Sequence, residues 1–105
     1  MKIVINTERD GSFDVNPLIK AKLGLTNDYI LRNESFGISS DNFYAYRADK
    51  RLIQAIEELQ AFGSTFADGH DASLKIVEFP DDREWEIISL CGAEYLVEKG
   101  MWRCQ

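Results

Sequence analysis

The stretch LKIVEFPDDREWEIISLCGAEYLVE, residues 74–98, decides the fold. Its first six residues carry apolar side chains on both faces of an extended chain, the pattern of a strand covered on two sides. Pro80-Asp81-Asp82 supplies a turn, because proline presets the first central position and aspartate tolerates the second. Residues 84–90 then read as a returning strand, and Gly92 marks a second reversal into 94–98. The expectation is a three-stranded antiparallel meander.

Immediately upstream, Asp49 stands where a capping carboxylate belongs, and residues 50–62 run in helical period to Gly63. Leu52, Ala55, Ile56, Leu59 and Phe62 fall on one stripe, with Gln54, Glu57 and Glu58 opposite, so the stripe is expected to be core. Residues 25–41 lack periodicity and are expected to be irregular but ordered, and Phe43-Tyr44-Ala45-Tyr46 reads as a short strand. Further back, Asn16-Pro17 opens a helix over 17–23 that Gly24 closes, with Leu18, Ile19 and Leu23 facing inward. Residues 2–6 read as a first strand, Ile3 and Ile5 on one face and Val4 on the other, ending at Asp10-Gly11-Ser12. The simplest packing is α+β: an antiparallel sheet containing the C-terminal meander and joined by the first strand, with two helices packed on one face. Residues 1–105 are expected to form a single domain.

The composition narrows the chemistry. No apolar run approaches the ~20 residues of a membrane helix, and no secretory pattern opens the chain, so no membrane role and a cytoplasmic setting are expected. Cys91 and Cys104 have neither the number of a disulfide framework nor the spacing of a metal site. His70, in Asp68-Gly69-His70-Asp71, is the single histidine. A catalytic cysteine or a metal centre would need more partners than that, so no catalytic residue, metal or cofactor is assigned. The glycines show no phosphate-cradling spacing.

Charge is the more informative signal. Twelve Lys and Arg stand against eighteen Asp and Glu, giving −6, which disfavours direct nucleic-acid binding. Nine of those acids but only two bases lie between Glu57 and Glu86. Glu78, Asp81, Asp82, Glu84 and Glu86 are closest together, and they are the candidate partner-binding residues. Such a run either keeps a sheet edge soluble or recognises a basic partner. Trp85, Trp102, Phe43, Tyr44 and Tyr46 could make an aromatic binding surface, but Glu84 and Glu86 beside Trp85 repel phosphate, so Trp85 is expected to pack in the core, while Tyr44, Tyr46 and Arg47 form a second candidate contact patch.

Four blocks together resemble a family of small uncharacterised proteins of tailed bacteriophages and prophages. They are residues 2–6 with Gly11-Ser12-Phe13; Arg47-Ala48-Asp49 with 52–59; 74–82; and Trp85-Glu86-Ile87 with Gly92-Ala93-Glu94 and Trp102. The chain departs from that pattern at Asp10-Gly11-Ser12-Phe13-Asp14, where the family has a more glycine-rich turn, and at Cys91, where it has an acid. The resemblance implies a phage or prophage origin and supplies no catalytic residue. Combined with the charge pattern, it implies a non-enzymatic accessory protein that binds, and by binding inhibits, a host or bacterial defence protein with a basic surface. The alternative is a binder of, or small enzyme for, a nucleotide-like metabolite, with a pocket on the sheet containing Tyr44, Tyr46, Arg32 or Arg47. A minor virion component, marked by a large apolar patch, is the third reading.

Overall fold

A computed structural model of the chain describes residues 1–25 and 31–100. Six regular elements follow in order: β1 (Lys2–Asn6), α1 (Pro17–Lys22), α2 (Lys50–Gln60), β2 (Leu74–Glu78), β3 (Trp85–Leu90) and β4 (Ala93–Glu98), with short 3-10 helices at Asn33–Phe36 and Ala45–Ala48. The mixed helix and strand composition, the antiparallel pairing and the two α-helices agree with the sequence.

The strand partners differ from expectation. β2 pairs antiparallel with β1, from Lys2 opposite Glu78 to Asn6 opposite Leu74, while β3 pairs with β4, from Trp85 opposite Glu98 to Leu90 opposite Ala93. The result is two two-stranded sheets in place of one sheet with a three-stranded meander. The ends of the β1–β2 pair account for this. The Phe79 amide donates to the Met1 carbonyl, and the Met1 ammonium donates to the Phe79 carbonyl and to the Asp81 carboxylate. Phe79 and Asp81 therefore tie the end of β2 to Met1, and the turn closed by the Arg83 amide on the Pro80 carbonyl carries the chain from one sheet to the other. The reversal at Cys91-Gly92 is a two-residue hairpin loop with both φ angles positive, +52° and +87°, as a type I′ turn requires.

Period-2 alternation makes β1 the middle layer. Val4 packs with Leu74, Val15, Ile19, Tyr46, Leu52, Ile53, Ala55, Ile56 and Ala67, so both helices cover this face of the β1–β2 pair. Ile3 and Ile5 turn the other way, onto Ile87 with Val77, Phe79, Trp85 and Leu96 around them. A strand with apolar residues on both faces is the signature of this two-sided burial.

The helices begin where their caps predict. Asn16 Oδ1 accepts from the Leu18 amide and Asp49 Oδ1 from the Arg51 amide, each at 2.9 Å. In α2, Leu52, Ala55 and Ile56 are buried as expected and Ile53 joins them, but the helix stops at Gln60 and Phe62 lies 78 % exposed. In α1 only Ile19 is buried, and Leu18 points to solvent. Neighbouring helical positions lie about 100° apart, so a one-and-a-half-turn helix commits one position to the core. The expected strand at 43–46 is instead the approach to the 3-10 helix Ala45–Ala48. Its shape is held by side-chain amides: Asn42 Oδ1 accepts from the Tyr44 amide, and Asn33 bonds both the Tyr46 amide and the Asn42 carbonyl.

Candidate functional site

Asx chemistry at 40–44 and the β2–β3 connection create a surface groove. Ser40 Oγ accepts from the Asn42 amide, the Asn42 side chain reaches the Trp85 carbonyl, and the two segments become facing banks. Between them lies a half-open groove of about 570 Å³, lined by residues 40–44 on one side and 83–87 on the other, with Met1 and Lys99 at its end. Phe43, 86 % exposed, stands on one bank, and Trp85 and Tyr44 contribute aromatic wall.

The five carboxylates read from the sequence divide around this groove. Glu84 and Glu86 line it. Asp81 and Asp82 are exposed on the connection just before it, Asp81 holding the Met1 ammonium, whose hydrogen bond and charge keep that carboxyl below its usual range. Lys99 Nζ lies 3.8 Å from Glu84, and Arg83 is 3.6 Å from Glu98. Glu86 accepts the Gly100 amide at 3.0 Å. Glu78 is set apart, on the face of β2 that carries Ile76 and looks toward α2. The acids are thus a chain of exposed or half-exposed groups with several cations interleaved.

The patch expected from Tyr44, Tyr46 and Arg47 does not form at the surface. Tyr44 lines the groove, but Tyr46 and Arg47 are buried, at 7 % and 2 % exposure. Arg47 makes a bidentate pair with Glu94, Nη1 to Oε1 at 2.6 Å and Nη2 to Oε2 at 2.9 Å, and the Val4 carbonyl lies 3.3 Å from Nη1. Glu94 Oε1 also accepts the Asn6 amide at 2.7 Å. The guanidinium centre sits 3.5 Å from the centroid of the Phe13 ring, a cation–π contact. Burial opposes the Arg47 charge, but the hydrogen bonds and field of Glu94, aided by Tyr46, outweigh it and raise the pKa above the ordinary value. This network locks β4 onto β1. Sequence reading missed it because nothing local pairs an arginine with a glutamate forty-seven positions away.

Elsewhere, His70 is exposed with Nε2 3.1 Å from Asp71, and among the described residues no group of three or more His, Cys, Asp or Glu is placed to hold a metal ion. Cys91 is an exposed free thiol, and Cys104 and Trp102 lie outside the described residues. No described helix is long and apolar enough to cross a membrane. Asp41 and Lys99 belong to the groove although the sequence reading passed over them as candidates, and Phe43, one of the aromatics it weighed as a binding surface, stands beside them. An aromatic residue set among Ser39, Ser40, Asp41 and Asn42 was the available signal. No protein-family profile, curated protein or solved structure matches the chain.

Proposed function

We propose that this chain is a phage or prophage accessory protein that binds, without catalysis, a basic surface of a host or bacterial defence protein, and inhibits it by occupying that surface. The observation that carries this reading is the exposed acidic connection between β2 and β3, running into a groove with a solvent-facing aromatic. Asp81 and Glu84 have side chains 82 % and 80 % exposed. Clustered carboxylates accelerate encounter with a basic partner, and an exposed aromatic beside them supplies the anchor that charge alone does not. The groove is half-open, with its charged groups spread along the banks, which suits a macromolecular surface better than an enclosed metabolite.

Reversing Asp82 and Glu84 to Lys tests the reading, because neither carboxylate takes part in the packing of either core. Tagged parent and variant are used to capture a partner from infected bacteria, and binding kinetics are measured over a salt series. The expected result is a variant with an unchanged melt that binds at least tenfold more weakly, and a parental association rate that falls as the Debye length drops below about 10 Å. Parental affinity in a folded variant at every salt concentration overturns the proposal.

A further inference from the structure

Two arginines of this chain show what holds a guanidinium here. Arg47 lies 3.5 Å from the Phe13 ring centroid while Glu94 bonds it, and Arg51 lies 5.3 Å from the Phe36 centroid while Asp49 bonds it. The flat cation meets the electron-rich face of a ring, and its edge donors meet a carboxylate. Both arrangements are intramolecular. Phe43 carries the same elements to the surface: its ring faces solvent, and among the described residues no ring or cation stacks on it. Asp41 stands two positions before it on one bank of the groove, and Glu84 and Glu86 flank Trp85 on the other.

The charged groups that line the groove balance by number, Asp41, Glu84 and Glu86 against Arg83, Lys99 and the Met1 ammonium. Their pairing does not leave them equal. Asp81 takes the Met1 ammonium and Glu98 takes Arg83, both from outside the lining, while Lys99 is held by Glu84 inside it. With Asp81, Asp82 and Glu98 included, and with Lys50, whose charge acts on Asp81, six carboxylates surround four cations. The surplus is negative, and on the bank that carries Asp41 and Phe43 no lining residue is a cation.

We propose that this groove receives one arginine side chain of the partner protein, whose guanidinium stacks on Phe43 and donates to Asp41 on the near bank and to the carboxylates across the groove. The inference deepens, and rests on, the reading of the acidic connection as a surface for a basic partner. Arginine suits the groove better than lysine. Donors fixed in a planar fork serve both banks while the flat face stays on the ring, whereas an ammonium is a compact, strongly hydrated point charge. The half-open shape admits the side chain together with the backbone that bears it.

The probes are blocked pentapeptides of glycine and serine with arginine, lysine or citrulline at the centre. They are titrated into the full chain and followed by the Phe43 amide and the Trp85 indole N–H in NMR spectra. The arginine peptide should shift both signals saturably and bind at least fivefold more tightly than the lysine peptide. Citrulline, which keeps the shape without the charge, should shift neither. Phe43→Ala removes only an exposed ring, so it should lose at least fivefold in affinity for the arginine peptide at an unchanged melt, and Phe43→Tyr should retain that affinity. Asp41→Asn should lose part of it, and it carries the test if Phe43→Ala fails to fold. No saturable shift with the arginine peptide, equal binding of the lysine or citrulline peptide, or parental affinity in Phe43→Ala would each overturn the proposal. The broader reading fails separately. A captured partner that is lost on reversal of Asp82 and Glu84, yet binds Phe43→Ala as tightly as the parent, sinks the arginine site alone. Arginine-selective binding that Phe43→Ala abolishes, in a protein that captures no partner, upholds the site and sinks the accessory-protein reading.

Discussion

At the residue scale, the costliest commitment in the molecule is the buried Arg47–Glu94 pair, which rewards removal of neither partner. Glu94→Leu strands the guanidinium and also the Asn6 amide, whereas Glu94→Gln keeps an acceptor for the amide. Breaking such a pair from one side costs ~3–5 kcal/mol, so urea titration should show Glu94→Leu destabilised in that range and Glu94→Gln clearly less. Equal losses would mean that the charge, rather than the shared acceptor, sets the whole penalty. Asp49 gives the pH-dependent counterpart. Burial pushes its pKa up, but the hydrogen bonds and charge of Arg51 win and hold it below the ordinary 3.8. A depressed folded pKa contributes stability that is complete above the unfolded value and is lost as pH falls through the folded one. Asp49→Ala should therefore cost about 1 kcal/mol at neutral pH, and the gap between the two melting curves should narrow only below about pH 4. A gap independent of pH would remove the ionised cap from the account.

Element by element, the sequence was most legible where a local rule acts alone. Asn16-Pro17 and Asp49 placed two helix starts, and Gly92 placed the reversal between β3 and β4, because a cap or a tight turn is decided by adjacent residues. Pairing was less legible. Pro80-Asp81-Asp82 carries the vocabulary of a hairpin turn, yet β2 pairs with β1, far earlier in the chain, along a ladder from Lys2–Glu78 to Asn6–Leu74 that no local signal announces. The acidic run was visible as composition, but its division between the groove and the β2 edge follows from strand faces that the wrong pairing would have assigned differently. α2 joins the helical layer to β1 and β2 through Ile56, which is fully buried. Ile56→Ala should cost ~2–5 kcal/mol by thermal or chemical unfolding, and a parental melt would show that this stripe is not core. Gly92 supplies the matching test on β3–β4. Its φ of +87° and its close approach to the Gly11 backbone leave no room for a Cβ, so Gly92→Ala should loosen the hairpin from β1.

For the molecule as a whole, the consequence of stacking helices, β1–β2 and β3–β4 is two apolar clusters that share β1 but are unequal in size. Among the described residues the helical side gathers ten buried residues, Val4 among them, whereas the hairpin side has Ile3, Ile5 and Ile87 as its fully committed members. The hairpin is held in addition by the Arg47–Glu94 pair, by Asn6 Nδ2 on the Gly92 carbonyl and by the Asp10 amide on the Cys91 carbonyl. Elements with less buried apolar contact open at lower free energy, in cooperative units. Native-state hydrogen exchange should then show the cross-strand amides of β3 and β4, such as Ile88 and Tyr95, exchanging together through an opening cheaper than the one that exposes α2 and the β1–β2 ladder. Gly92→Ala should lower the first opening energy and leave the second near the parental value. The acidic connection joins these two units, so a partner bound across it should raise the protection of the hairpin toward that of the helical side. Exchange of all four strands at one common free energy would show instead that the two clusters unfold as one, and that the buried ion pair couples them more tightly than their apolar contacts do.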